Sequence, residues 1–220
     1  MDVEKAVMER RSIRAYHAEP VPEPILKDIM ERALWSPSWG NTQPWKLTLV
    51  SGETLRKIQE TYVTSMGEGR EASPDYDMPS QYSDAQKTRY QGLGRDLFTA
   101  FGIGREDKEK RLQYYLDMVR CFGAPHVIYL HLDKEFHPYA LMDGGIILQT
   151  IALLAVEKGL GSCFLAQSVR YPDVIRKYAG IPEDQALIMG LSIGRPLEDH
   201  PGGLFRSERG APEEFLRFVD

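Results

Sequence analysis

The chain has 220 residues, of which 42% are hydrophobic and 27% are charged, and its formal net charge is −5. This length and composition suit one globular domain with a full hydrophobic core, which we expect to span residues 1–220. The negative charge and the lack of a long Lys/Arg run exclude a general nucleic-acid binder, so we expect the important basic residues to bind a small anion locally.

The first predicted element is an amphipathic helix over Val3 to Arg11, where apolar residues recur at helical spacing. If this helix continues to Arg14, the side chains of Arg10 and Arg14 leave the same face, and the hydroxyl of Ser12 lies close by. Guanidinium groups bind phosphate oxygens bidentately and keep their charge at every working pH, so this cluster predicts a phosphate site. A solvated basic surface is the alternative interpretation.

A second amphipathic helix is predicted over Glu23 to Leu34, and residues 37–45 then read Pro-Ser-Trp-Gly-Asn-Thr-Gln-Pro-Trp. Ser38, Asn41 and Gln43 carry neutral donors and acceptors that can face the edge of a heterocycle, and the prolines and the glycine would hold the turn still. The alternative interpretation is a helix stop with tryptophans in the core, because proline ends helices in any case.

Trp45 to Val50 alternates in polarity and predicts a strand, after which Glu53 to Met66 returns to helical spacing. Residues 68–120 form a predicted helical excursion that is unusually rich in aromatic residues. Such side chains can pack on the core, which is their more common role, or line a lid over a flat substrate. The residues concerned are Tyr76, Tyr82, Tyr90, Phe98 and Phe101.

The second half of the chain alternates between predicted strands and helices. His126 to His131 and Gln185 to Ile193 read as strands, with a helix over Tyr171 to Tyr178 between them. Gly144 to Val156 is the most apolar passage, but it is shorter than the ~20 residues of a bilayer span, so we expect a buried helix and no membrane anchor. Residues 196–220 predict an extended tail. This alternation predicts an α/β or α+β fold.

Patterns that suggest other chemistry are weak. Cys121 and Cys163 stand among apolar neighbours, which indicates buried reduced thiols, and no signal peptide is visible, so we expect a cytoplasmic protein. The histidines are scattered and no complete Rossmann glycine motif is present, so we expect neither a metal site nor a separate nicotinamide domain. Gly190 to Gly194 matches the serine-hydrolase elbow, but no helix follows Ser192, so we expect an ordinary strand residue, with a small hydrolase as the alternative.

Motifs along nearly the whole chain resemble the flavin-dependent nitroreductase family, and their arrangement is most similar to the nitrobenzoate-reductase-like members. The motifs at residues 10–14 and 37–45 come first. Residues 122–128 resemble the family's second core strand, residues 143–158 its long buried helix, and residues 159–164 the turn and strand beside the flavin ring. The resemblance implies an α+β fold, a three-layer α/β/α sandwich with a mainly antiparallel central sheet, in an intertwined homodimer.

The cofactor that the resemblance implies is FMN, bound at the subunit interface. Arg10, Ser12 and Arg14 would hold its phosphate, and Arg11 would contact the ring or the ribityl chain. The other site residues that the resemblance implies are Pro37, Ser38, Trp39 and Asn41 from the partner subunit, Leu165, Ala166 and Gln167 along the ring, Arg206 and Arg209 at the phosphate, and Arg120 at the carbonyl edge of the flavin. For Arg120, the alternative is a solvated arginine at a helix end.

The reaction that the resemblance implies needs no catalytic side chain. NADH or NADPH would give hydride to flavin N5 and leave, and a small aromatic acceptor such as a nitroaromatic or a quinone would then take the electrons. The alternatives on the same fold are dehalogenation, reduction of an activated alkene, fragmentation of the flavin by oxygen, and flavin binding without turnover.

Overall fold

An antiparallel sheet of four strands lies at the centre of the computed structural model, which describes residues 2–219. The strands are β1 (Lys46–Ser51), β2 (His126–Asp133), β3 (Gly161–Leu165) and β4 (Gln185–Gly194). Their order across the sheet is β1-β2-β4-β3, and every neighbouring pair is antiparallel. The central pair, β2 and β4, is therefore flanked by the shorter strands.

Helices cover both faces of this sheet. The α-helices of the described residues are α1 (Val3–Glu9), α2 (Glu23–Ala33), α3 (Gly52–Gly67), α4 (Asp84–Ala100), α5 (Lys108–Val119), α6 (Pro138–Glu157), α7 (Pro172–Ala179) and α8 (Pro201–Leu204). Buried residues of α3, α4, α5 and α7 form one hydrophobic cluster, and buried residues of α2 and α6 form another.

Strand β2 shows how the two clusters are separated. Val127 and Tyr129 belong to the first cluster, whereas Ile128 and Leu130 belong to the second. Successive side chains of a strand point to opposite faces of the sheet. A continuous run of apolar residues is therefore typical of a strand whose sheet is covered on both faces. The α+β class and the three-layer sandwich that we expect from the sequence are confirmed.

The first helix is shorter than its apolar spacing predicts. It ends at Glu9, and Arg10 leaves the helix with φ −58° and ψ 125°. The backbone from Arg10 to Arg14 is extended, not helical, and Ser12 forms a β-bridge with Ser162 of β3. The helix predicted over Val3 to Arg11 therefore ends two residues early, and its assumed continuation to Arg14 is wrong, because tertiary pairing with the sheet outweighs local helical spacing.

Helix α6 is longer than the apolar passage that predicts it. It begins at Pro138 and has 20 residues, which is enough by length and composition alone to span a membrane. The expectation that it is too short for a span is wrong. Core helices pass the same test, and this helix buries residues such as Ile147 and Ile151 against the sheet.

The excursion and the tail also differ in detail from their patterns. Phe98 and Phe101 pack against the core, and each ring meets Tyr114 edge-on at 5.3 Å. Tyr76, Tyr82 and Tyr90 are between 43% and 63% exposed, so core packing describes only part of the aromatic set. The tail is not extended throughout, because it contains the short helix α8.

One buried histidine makes the stability of this fold depend on pH. The Nε2 atom of His126 accepts the backbone N–H of Val21 at 2.9 Å, which requires an unprotonated ring nitrogen. Burial lowers the pKa of His126 from its ordinary value of 6.5. Between these two pKa values the unfolded chain binds more protons than the folded chain, so stability falls as the pH drops below about 6.5.

We expect His126→Asn to remove part of this pH dependence. The measurement is the free energy of urea unfolding of wild type and variant, once near neutral pH and once about two pH units below it. Burial also lowers the pKa of His131, so some dependence of the same sign should persist in the variant. Replacing the exposed His17 by Asn is the control. An identical pH slope in wild type and His126→Asn would contradict the assignment.

Candidate functional site

The extended segment after α1 is held from both sides by backbone hydrogen bonds. The N–H of Ile13 donates to the carbonyl of Ser162 in β3 at 3.0 Å, and the N–H of Arg14 donates to the carbonyl of Gly202 in α8 at 2.7 Å. Ile13 is buried, so the alternation of extended backbone turns Ser12 and Arg14 to the opposite side. We call this segment, residues 10–14, the clamped segment.

Helix α8 approaches the clamped segment more closely than a side chain would allow. A Cβ atom at Gly202 would lie 2.4 Å from the carbonyl oxygen of Arg14. Next to it, the carbonyl of Gly203 accepts the Nε–H of Arg11 at 2.9 Å. Because Gly202 has no side chain, α8 can pack directly against the clamped segment.

A cavity of about 80 Å³ lies beside the clamped segment, and we call it the arginine cavity. It brings together the predicted phosphate residues from both ends of the chain. Its lining consists of Arg10, Arg11, Ser12, Arg14, Leu93, Phe205, Arg206, Ser207 and Arg209. Within residues 2–219, the ion pairs between arginine and carboxylate use other arginines.

The electrostatics of the arginine cavity favour an anion. Burial lowers the pKa of Arg10, and the nearby charges of Arg209 and Arg206 lower it further. These shifts indicate that the cations repel one another across a partly desolvated space. A small group with several charged oxygens would relieve this repulsion and accept hydrogen bonds from the guanidinium forks and from Ser12. The donor set therefore fits a phosphate group.

The residues that we expect along a flavin ring lie at the far end of β3. Leu165 is the last residue of that strand, and Ala166 and Gln167 begin a 3-10 turn over residues 166–169. Ser162, which pairs with the clamped segment, is three residues earlier, so roughly 10 Å of strand separates the two places. A single strand thus connects the arginine cavity to this turn.

The turn packs closely against the neighbouring strand β4. A Cβ atom at Gly190 of β4 would lie 2.0 Å from the hydroxyl oxygen of Ser168. That hydroxyl donates to the carbonyl of Leu165 at 2.6 Å. Glycine at position 190 therefore leaves room for the side chain that closes the turn.

A second cavity, of about 1160 Å³, adjoins the arginine cavity, because Leu93 lines both. We call it the aromatic cavity. Gln167 lines it from the turn, and the rest of its lining comes from residues 90–118 of the excursion, including Tyr90, Phe98, Tyr114 and Tyr115. Aromatic walls of this kind suit a flat, conjugated ligand. The position of this cavity is compatible with the lid that the aromatic excess suggests, which stays a prediction.

The motif at residues 37–45 is anchored elsewhere. The backbone N–H of Trp39 donates to the two carboxylate oxygens of Asp143 at 3.1 and 3.2 Å, and Asp143 in α6 is 1% exposed. The ring of Trp39 stacks on Tyr139 with 5.2 Å between centroids, yet it is 65% exposed. The motif therefore projects a largely exposed indole from the start of α6.

Within one chain, this motif does not reach the arginine cavity. None of the four residues that we expect to contribute from a partner lines either cavity; they are Pro37, Ser38, Trp39 and Asn41. The role of Asp143 as their anchor was missed from the sequence. The available signal was a single acidic residue at the start of the most apolar passage, since an unpaired charge is costly to bury.

Arg120 also lies outside both cavities. It is the C-cap residue of α5, its side chain is exposed, and its carbonyl accepts a hydrogen bond from Gln59 at 2.9 Å. This location agrees with the alternative of an arginine at a helix end. Within residues 2–219, no contact connects Arg120 to the other predicted site residues.

The competing motifs lie in the core. Ser192 is fully buried in β4, and its hydroxyl is 2.9 Å from the hydroxyl of Tyr16, so it is an ordinary strand residue as expected. Cys121 and Cys163 are free and buried, and burial raises the pKa of Cys121 to about 12. Among residues 2–219, no group of three His, Cys, Asp or Glu side chains is placed to hold a metal ion.

Comparison with known proteins identifies one family. A model of the nitroreductase family matches residues 7–195. The nitroreductase NfnB of Mycolicibacterium smegmatis is 31% identical over 215 residues, which are 98% of this chain and 92% of that protein. A 4-nitrobenzoate reductase of Pseudomonas putida is 24% identical and covers 99% of this chain and 96% of its own. The crystal structure of an FMN- and NADPH-dependent nitroreductase NfnB from Sphigopyxis sp. strain HMH superposes with a TM-score of 0.96 at 34% identity and covers 100% of both chains.

The contact at Gly202 yields a stability prediction. We expect Gly202→Ala to lower the free energy of unfolding by roughly 1 to 3 kcal/mol, because the added methyl group overlaps the Arg14 carbonyl and the backbone must shift. Urea unfolding measures the change. Gly67→Ala is the matched control, because a Cβ atom at Gly67 meets nothing within 4 Å. Equal stability of the two variants would contradict the close contact between Gly202 and the Arg14 carbonyl.

Proposed function

Because the chain belongs to the nitroreductase family, we propose that it is an FMN-dependent NAD(P)H oxidoreductase that reduces nitroaromatics, quinones or related acceptors. The observation that carries this proposal is the arginine cavity. Its cations have no carboxylate partner within the described residues, and β3 connects it to a turn that lines the aromatic cavity. Full-length similarity to an FMN- and NADPH-dependent enzyme supports the same function.

The residues of the arginine cavity would hold the FMN phosphate. Arg10, Ser12 and Arg14 face it from the clamped segment, and Arg206 and Arg209 close it from the tail. Bound FMN supplies the centre that takes up and gives away hydride. The contribution of the protein is to position this group and its partners, so no side chain has to act as a nucleophile.

The turn after β3 would lie along the flavin ring. Leu165, Ala166 and Gln167 follow directly on the strand that starts beside the clamped segment. We propose that NAD(P)H and the acceptor use the aromatic cavity in turn, which gives ping-pong kinetics. The walls formed by residues 90–118 would exclude water and stack on flat substrates.

We further propose an intertwined homodimer in which Pro37, Ser38, Trp39 and Asn41 complete the flavin site of the partner. Two observations support it. The motif is anchored to the start of α6 at Asp143 and leaves the Trp39 ring largely exposed. Apolar residues of α1 are exposed as well, among them Val3 at 76% and Met8 at 61%. Exposed apolar surface of this kind marks interfaces.

We also propose that residues 1–220 form a single domain and that the protein is cytoplasmic.

The visible spectrum of the purified protein tests the cofactor. We expect flavin bands after addition of FMN and their bleaching when NADH or NADPH is added without oxygen. Subsequent addition of a nitroaromatic or a quinone should restore the bands. A protein that does not bind FMN would contradict the proposed function.

Titration of arginine variants with FMN tests the proposed phosphate site. We expect Arg14→Ala to weaken FMN binding by roughly 1.5 to 3 kcal/mol, because it removes a charged hydrogen-bond donor from a partly buried site. Arg32→Ala is the control, since Arg32 is an exposed arginine that pairs with Asp28 on α2. Unchanged affinity in Arg14→Ala would contradict the phosphate site but not FMN binding itself.

Mixed dimers test the contribution of the partner. In a shared site, Arg14→Ala and the double variant Ser38→Ala/Asn41→Ala damage opposite sides of the same pocket. A heterodimer of the two would carry one intact site and one doubly damaged site. Random mixing should therefore restore tight FMN binding to about a quarter of all sites, which equilibrium titration of the mixture measures. No restoration, or a flavin-loaded monomer in sedimentation, would contradict the shared site.

A further inference from the structure

Arg170 and Gln167 form a pair on the turn that follows β3. An Nη atom of Arg170 donates to the Oε1 atom of Gln167 at 3.4 Å. The guanidinium is held in place because it lies over the ring of Tyr171, 5.0 Å from the centroid. Its buried Nε atom has no hydrogen-bond partner among the described residues. Arg170 is therefore a fixed cation next to a residue that lines the aromatic cavity.

The cation determines which way the Gln167 amide points. A guanidinium group carries only donors, so it can face the amide oxygen but not the amide NH₂ group. The oxygen of Gln167 is therefore committed to Arg170, and the NH₂ group is free to donate elsewhere. Its described contact is the sulfur of Met78 at 3.5 Å, and a thioether is a weak acceptor that a ligand oxygen can replace.

We propose that Arg170 is a positioning residue that presents Gln167 to the aromatic cavity as a hydrogen-bond donor. The ligand group that it would bind is an oxygen acceptor on a conjugated ring. Either a nitro or quinone oxygen of the electron acceptor or a carbonyl oxygen of the flavin has this chemistry. The inference rests on the proposed function, because it assigns a role within the same site.

The position of Gln167 supports this role. It lines the aromatic cavity from the sheet side, whereas the rest of the lining comes from residues 90–118. A ligand ring between these two walls would therefore lie beside the side chain of Gln167. The turn that carries Gln167 is itself fixed by the hydrogen bond from Ser168 to Leu165. The hydrogen bond from Arg170 and the closed turn therefore both help to hold the donor in place.

Two substitutions at Gln167 test the donor. Gln167→Glu replaces the NH₂ group by an oxygen and gives Arg170 a carboxylate partner, so the melting temperature should be unchanged or higher. Gln167→Met removes the donor without adding charge. In both variants we expect about a tenfold loss, either in the dissociation constant for FMN or in the KM for a nitroaromatic and a quinone at saturating FMN.

The two measurements distinguish the two sources of the oxygen. Weaker FMN binding would assign the donor to the flavin, and a higher KM at unchanged FMN affinity and kcat would assign it to the acceptor. A loss in Gln167→Glu alone would indicate charge repulsion and would overturn the proposal. Values within twofold of wild type in both variants would also overturn it.

A double-mutant cycle tests the role of Arg170. Arg170→Met should cause the same type of loss as Gln167→Met, and the double variant should be no worse than Gln167→Met alone, because Arg170 acts through Gln167. Additive losses would show an independent or merely structural role and would overturn the proposal. If Arg170→Met does not fold, Arg170→Gln, whose amide can donate or accept and therefore no longer fixes the orientation of Gln167, takes its place in the cycle, with the same criterion.

Failure of this inference can be distinguished from failure of the proposed function. Wild-type protein that binds FMN and turns over an acceptor, together with normal Gln167 variants, would contradict only the donor role. Wild-type protein without FMN binding would contradict the function on which the inference rests.

Discussion

The attachment of the clamped segment to the sheet is the constraint on which the rest of the site depends. Two backbone hydrogen bonds, from Ile13 to Ser162 and from Arg14 to Gly202, hold five residues extended between β3 and α8. Extended backbone presents every second side chain to the same side. This places Arg10 and Arg14 opposite Arg206 and Arg209 of the tail, around one small cavity that Arg11 also lines. Burial lowers the pKa of Arg10, and the charges of Arg209 and Arg206 lower it further, so this arrangement favours an anion in the cavity.

Strand β3 links the clamped segment to the turn that we expect beside the flavin ring. Its first half pairs with the clamped segment at Ser162, and its end leads into the turn with Gln167. β3 also pairs with β4 along its length, so the residue from which the turn starts, Leu165, is held in the sheet. Gly190 of β4 leaves room for the side chain that closes the turn. Under the proposed function, strand β3 would therefore set the distance between the bound phosphate and the flavin ring.

Local patterns predict most of the elements but not the geometry of the site. The helices at Glu23 and Gly52 and the strands at Lys46 and Gln185 begin within a residue or two of their patterns, because alternation and helical spacing reflect which faces are buried. The arginine motif shows the limit. Arg10 and Arg14 do lie on the same side, but the expectation assumed a helix, and the segment is extended. Positions 10 and 14 share a side in a strand as well as in a helix, so the spacing of these two arginines alone did not distinguish the two conformations.

The sequence by itself determined the family, through its motifs, and the residue types that can hold a phosphate. The covering of the sheet on both faces was expected only because the resemblance to the family implies it. Tertiary structure alone decided which of these residues meet. The clamped segment contacts α8 through residues nearly 190 positions apart in the sequence, such as Arg14 and Gly202. The pairing of Asp143 with Trp39 and the exposure of Arg120 are of the same kind. Such contacts depend on how whole layers pack, and no local propensity contains that information.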